Sequence, residues 1–135
     1  MTEEDTRKKI LFAEDEKLLR DIFSRIVQKE FPNYEFESFS DGTSLESKLN
    51  NGIENVVLVL TDNIIPGISG SEIIKKYASR PEFKRIPFVL CYGGDESIGE
   101  KAVEDGAFCY VLKPYLPSDI KEVVRASLES FGSVF

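Results

Sequence analysis

Apolar positions along this chain come in two alternating textures: short unbroken runs, and longer stretches where they recur every three or four residues. Ile10-Leu11-Phe12-Ala13 is short, wholly apolar and followed by acids, the pattern of a strand buried on both faces. Leu18, Leu19, Ile22, Phe23, Ile26 and Val27 then mark one face of a helix that ends before Phe31-Pro32. A weaker strand follows from Tyr34 to Phe39. Ser40-Asp41-Gly42 opens a second helix carrying Leu45 and Leu49, and Asn51-Gly52 closes it with a glycine stop. Val56 to Leu60 is the clearest strand, β-branched and continuous, and it delivers Thr61-Asp62 at its carboxyl end.

Ser69 with Glu72 three residues later forms a capping-box signature before Ile73, Ile74, Tyr77 and Ala78. Phe88-Val89-Leu90-Cys91 reads as a fourth strand. From Asp95 to Glu104 a weak helix is expected, with Ile98, Ala102 and Val103 inward. Phe108 to Leu112 makes a fifth strand, and Ser118 starts a last helix with Ile120, Val123, Val124, Leu128 and Phe131 on one face. Five strands alternating with five helices predict a doubly wound α/β fold, a parallel sheet covered on both faces by right-handed crossovers. Ligands of such sheets bind beyond the carboxyl ends of the strands, where strand order reverses.

Composition narrows the chemistry. The 135 residues make one ordinary domain, large enough to bury a core without disulfides or structural metal, so Cys91 and Cys109 read as free thiols. There is no histidine, which excludes a catalytic His triad and a His-liganded zinc site. Seventeen basic against 24 acidic side chains give a net charge of -7, the wrong sign for a nucleic-acid surface. The longest apolar run, Ala107 to Leu112, is six residues, against the roughly 20 that a membrane span needs. The acidic start Met1-Thr2-Glu3-Glu4-Asp5 has no secretory apolar region behind it, and a cytoplasmic protein is the default.

The strand ends are polar: Glu14-Asp15 after the first, Asp62 after the third, Lys113-Pro114 after the fifth. Taken singly, each has an ordinary explanation, since acids after strands cap helices and a lysine there is commonly solvated. If the strands are adjacent, three carboxylates and one ammonium converge. Carboxylates a few ångströms apart stay ionised together only beside a cation. A hard divalent ion that prefers oxygen ligands, Mg2+, suits them, and an aspartate beside it can attack phosphorus while Lys113 pairs another oxygen.

Three segments carry a family resemblance: Ile10-Leu11-Phe12-Ala13-Glu14-Asp15-Glu16, Leu60 to Gly70 with Pro66 four and Gly70 eight residues after Asp62, and Gly106 to Pro114. From about Lys8 to Phe131 the chain resembles a response-regulator receiver domain of two-component signalling, close to the chemotaxis regulators. The resemblance implies a flavodoxin-like (βα)5 fold with strand order 2-1-3-4-5, occupying the chain as one domain with a core of about residues 8–131 and no output domain. It implies Asp62 as phosphoacceptor, Mg2+ held by Glu14, Asp15, Asp62 and the backbone carbonyl of Ile64, and Lys113 on the phosphoryl group. Tyr110 becomes the aromatic switch, and the Lys113-Pro114 bond is expected to be cis. Phosphoryl groups would come from a histidine kinase or phosphotransfer protein, and output would be by protein contact rather than by an enzyme activity. The face of the fourth helix, fifth strand and last helix, with Lys101, Tyr110 and Leu116, would meet a downstream protein or a second copy.

The fourth strand departs from that family, whose members place a Ser or Thr at its end followed by a small residue. Here stand Cys91-Tyr92-Gly93-Gly94. Counting from Pro87 selects Tyr92, with Gly93 as the small follower, whereas counting back from Gly106 or Lys113 selects Cys91; Tyr92 is favoured. A phenol there would compete for space with an inward Tyr110 and alter the usual coupling; a thiol would be a weak donor. The alternative function is a receiver fold acting as a phosphorylation-independent interaction module. A phosphatase or nucleotide-binding reading fits less well, because Asp62-Asn63-Ile64 lacks a second aspartate and no glycine-rich loop follows the first strand. Neither Ile64 nor Gly93 or Gly94 can orient a water, so slow self-dephosphorylation is expected.

Overall fold

The computed structural model describes residues 7–130; Phe131, expected on the apolar face of the last helix, lies outside them. Strands β1 (Lys9–Ala13), β2 (Glu35–Phe39), β3 (Val56–Asp62), β4 (Phe88–Tyr92) and β5 (Cys109–Leu112) alternate with helices α1 (Lys17–Glu30), α2 (Gly42–Asn51), α3 (Gly70–Ile73), α4 (Glu96–Glu104) and α5 (Pro117–Ser130). All pairings are parallel, in the order β2-β1-β3-β4-β5, which is the order expected.

Strand residues alternate between two buried layers, as period-two geometry demands. Leu11, Ala13, Val59, Leu90 and Tyr92 pack with Leu45 and Leu49 of α2, Ile73 of α3 and Ala102 of α4. Ile10, Phe12, Leu58, Leu60, Val89 and Cys91 pack on the other face with Phe23 and Val27 of α1 and Ile120, Val124 and Leu128 of α5. Phe12 stacks on Phe23 with ring centroids 4.1 Å apart, and each such fully buried side chain contributes about 1.5–3 kcal/mol. Cys91 and Cys109 are free thiols. Among the described residues no helix is long and apolar enough to cross a membrane.

Helix ends follow the local chemistry. Asp41 Oδ1 accepts from the Ser44 N–H at 2.6 Å to start α2, and Gly52, at φ 151°, ends it. Ser69 and Glu72 make the reciprocal capping box of α3. Beyond Ile73 the chain departs from the single helix expected through Ala78 and widens into a π-helical turn over Ile74–Ala78. The wider turn buries the Tyr77 ring and leaves its hydroxyl donating to Glu46 Oε2 (2.7 Å) and Asn50 Oδ1 (3.2 Å) on α2. The last helix begins at Pro117, one residue before Ser118, with Asp119 accepting from the Leu116 N–H at 2.8 Å.

Two expectations about burial are corrected. Leu18, placed on the inner face of the first helix, is 69% exposed, because it sits in the opening turn, before the buried stripe of Phe23 and Val27 begins. Val103, placed inward on the fourth helix, is 44% exposed, because α4 turns Gly99 and Ala102 to the sheet instead.

Candidate functional site

Register brings the polar strand ends to one rim. Ala13 of β1 lies opposite Thr61 of β3, and Asp62 opposite Cys91 of β4, so Glu14, Asp62 and the residues after β4 and β5 emerge side by side. One carboxylate oxygen each from Glu14, Asp15 and Asp62 lies within 4.8 Å of the other two. Lys113 Nζ stands 3.3 Å from Asp62 Oδ1 and 3.5 Å from Glu14 Oε1. With all three carboxylates ionised, the one ammonium would leave two negative charges uncompensated, the deficit a divalent cation would fill.

Each group is held from behind. Glu14 is fully buried; its Oε2 accepts from the Glu16 N–H at 3.1 Å, and Arg20 donates to its carbonyl at 2.7 Å. Its Oε1 is buried with no hydrogen bond, only the ionic neighbour Lys113. Burial lifts the Glu14 carboxyl to about 7, with Asp62 adding to the rise while the Glu16 N–H and Lys113 oppose it. Burial raises Asp62 too, against the pull of Lys113. Desolvation works against the Lys113 charge, but Asp62 and Glu14 overcome it and hold its pKa above the ordinary lysine value. Asp15 is exposed at the mouth.

The loop after Asp62 is clamped at both ends. Asn63 Oδ1 accepts from the Ser71 N–H (3.0 Å) and hydroxyl (2.6 Å), and the Gly70 N–H donates to the Asn63 carbonyl at 3.0 Å. A Cβ on Gly70 would collide with the Asp62 carbonyl, so only glycine lets α3 approach this closely. Ile64 projects outward, 80% exposed, beside the acid cluster. The Lys113-Pro114 peptide bond is cis.

At the end of β4, Tyr92 and Cys91 turn their side chains into opposite layers of the sheet. Tyr92 is buried, and its hydroxyl donates to the Glu96 carbonyl (3.1 Å) and accepts from the Gly99 N–H (2.9 Å), both on α4. Cys91 belongs to the opposite layer, where burial first and then the nearby Asp62 charge push its thiol well up. Tyr110 is half-buried, with its hydroxyl 3.3 Å from Glu96 Oε1 and its ring centroid 5.9 Å from that of Tyr92. Sequence reasoning missed Tyr115, the residue after the cis proline. Its ring packs edge-on against Phe23 at 5.6 Å, and its buried hydroxyl, beside the Cys91 thiol and near Asp62 and Glu14, makes no hydrogen bond of good geometry. An aromatic directly after Lys-Pro at a strand end was the available signal.

A five-stranded parallel sheet in this order, with acids and a lysine gathered beyond its carboxyl edge, defines a flavodoxin-like α/β signalling domain. The family described as the response regulator receiver domain matches residues 10–125, and the chain belongs to that family. The phosphate regulon transcriptional regulatory protein PhoB of Rhizobium meliloti is 29% identical over 121 residues, covering 89% of this chain and 52% of its own length. The chain thus spans about half the length of that relative. A CheY-like receiver domain protein from Methanospirillum hungatei is 26% identical with a TM-score of 0.77, covering 90% of this chain and 94% of its own. The beryllofluoride-activated NtrC4 receiver domain dimer shares the fold with a TM-score of 0.77 at 17% identity, covering 90% of this chain and 96% of its own.

Proposed function

We propose that this receiver domain accepts a phosphoryl group on Asp62 from a phosphohistidine of a sensor kinase or phosphotransfer protein, and signals by protein contact. The observation that carries this is the Asp62 carboxylate held 3.3 Å from Lys113 within a cluster of three carboxylates. An Asp62 oxygen attacks phosphorus as the bond to the donor imidazole nitrogen breaks, and the imidazole leaves with the electron pair. Lys113 pairs with a phosphoryl oxygen in place of its present contacts. Having no histidine, the chain is acceptor and never histidine donor.

The residues fit Mg2+: three hard oxygen donors converge, and the unbonded buried Oε1 of Glu14 has only a partial cationic neighbour. Glu14, Asp15, Asp62 and the carbonyl of Ile64 would hold it. Bound there, it would neutralise phosphoryl oxygens during transfer. Incubation with acetyl phosphate and Mg2+ followed by intact mass analysis tests the proposal. A single phosphate adduct absent from Asp62→Asn is expected; no adduct, or one that persists in the variant, would sink it.

Output is assigned to the face of α4, β5 and α5, where Leu116 is 65% exposed, Lys101 is exposed and Tyr110 is half-buried. The related NtrC4 receiver forms a dimer. A second reading, a phosphorylation-independent interaction module, is favoured by one observation: Tyr92 commits its hydroxyl to α4 rather than to Asp62. Partner affinity unchanged by phosphodonor would favour it.

A further inference from the structure

We propose that Tyr92, rather than Tyr110, couples the acid cluster to α4, an inference that rests on Asp62 being the phosphoacceptor. The main chain at the end of β4 is tied to the site on both sides. Asn63, the residue after Asp62, donates its N–H to the Cys91 carbonyl at 3.2 Å, and Lys113 donates its N–H to the Tyr92 carbonyl at 2.7 Å. A shift of Asp62 or Lys113 on phosphoryl binding therefore pulls on the two residues that position the Tyr92 ring.

The other end of that ring holds a helix. The opening N–H groups of a helix lack partners within it. Here the Ile98 N–H turns back to the Asp95 carbonyl at 3.1 Å, and the Gly99 N–H is taken by the Tyr92 hydroxyl, which in turn donates to the Glu96 carbonyl. The phenol is thus inserted into the first turn of α4 as a surrogate backbone partner. With Tyr92 only 1% exposed, these bonds are shielded from competing water.

Tyr110 reaches the same two residues less firmly. Its ring lies over Gly99, where any Cβ would strike it, and its hydroxyl meets the Glu96 carboxylate at an exposed 3.3 Å contact. That contact is long, open to solvent and made to a rotatable side chain, and water competes for it. Of the two tyrosines clasping Glu96 and Gly99, the buried one links, through its side-chain hydroxyl, the backbone of α4 to a strand end whose own backbone is bonded to the site.

The test is amide exchange by NMR in α4, with and without acetyl phosphate and Mg2+, in wild type, Tyr92→Phe and Tyr110→Phe, with intact mass taken on the same samples. Phosphorylation should change Gly99 exchange in wild type and in Tyr110→Phe. In Tyr92→Phe the unphosphorylated Gly99 amide should exchange about five-fold faster, the loss of one net hydrogen bond, and phosphorylation should leave it unaltered. A response retained in Tyr92→Phe, or abolished in Tyr110→Phe, would overturn the inference. If Tyr92→Phe does not fold, wild type against Tyr110→Phe still decides. An Asp62 adduct with no change in wild-type α4 would overturn this inference alone, whereas no adduct would overturn the phosphoacceptor reading along with it.

Discussion

Replacing Glu14 by Gln removes a titrating group from the floor of the acid cluster while keeping its shape, so wild type minus variant reports the linkage of that carboxyl together with its coupling to Asp62 and Lys113. Its pKa rises from 4.5 to about 7 on folding, chiefly through burial, so the fold favours the protonated form. A raised folded pKa contributes stability that is full below the unfolded value and is lost as pH climbs through the folded one. At about 1.4 kcal/mol per pH unit, the metal-free wild type should lose up to about 3 kcal/mol relative to Glu14→Gln between about pH 4.5 and 7. For a domain of this size that is roughly 10 °C in melting temperature. Urea unfolding of both proteins across this range in EDTA measures it. Saturating Mg2+ should reverse the trend in wild type alone, because the ionised carboxylate is the ligand and binding to the native state adds stability. A wild-type minus variant difference that is flat, or that rises with pH in EDTA, would refute the burial argument.

Three other outcomes rest on single contacts. Ile64→Asn should shorten the half-life of the phosphorylated protein, because it places an amide able to orient water where an 80% exposed isoleucine now stands; a longer half-life, read by the decay of the mass adduct, would contradict this. Tyr115→Phe should stabilise the fold by about 1 kcal/mol in urea unfolding, since it deletes a buried hydroxyl that makes no hydrogen bond of good geometry, whereas a loss of stability would mean the hydroxyl is bonded. Gly42→Ala should cost about 1–3 kcal/mol and slow phosphorylation, because its Cβ would strike the Ile68 carbonyl in the loop that follows Asp62, whose Pro66 carbonyl accepts from the Gly42 N–H at 2.9 Å. A variant as stable and as quickly phosphorylated as wild type would remove that loop clamp from the account.

What could be read from the sequence was whatever depends on short-range pattern. Unbroken apolar runs located β1, β3 and β4, since strands buried on both faces leave no polar alternation. Acids and a lysine directly after such runs had to reach the same rim once the strands were parallel and adjacent. What escaped depended on tertiary placement. The π turn of Ile74–Ala78 has no sequence mark of its own and goes with the bonds of Tyr77 to α2. Tyr115 escaped because its only local mark is its place after Lys113-Pro114, and only the fold sets its hydroxyl among the site's acids.

The ambiguity at the end of β4 has a physical origin. A shift of one residue along a strand flips a side chain to the other face, so two counts differing by one select side chains in different layers. Counting back from Gly106 and Lys113 selects Cys91, which is paired with Asp62 across the sheet and sits in the layer of α1 and α5. Counting from Pro87 selects Tyr92, which has Gly93 after it and sits in the layer of α4. In this chain adjacency to the acceptor strand and reach toward α4 fall on consecutive residues, Cys91 and Tyr92. That division is why a tyrosine can stand at this position: its ring spans from the rim of the sheet to the first turn of α4, a span that a shorter hydroxyl side chain would not cover.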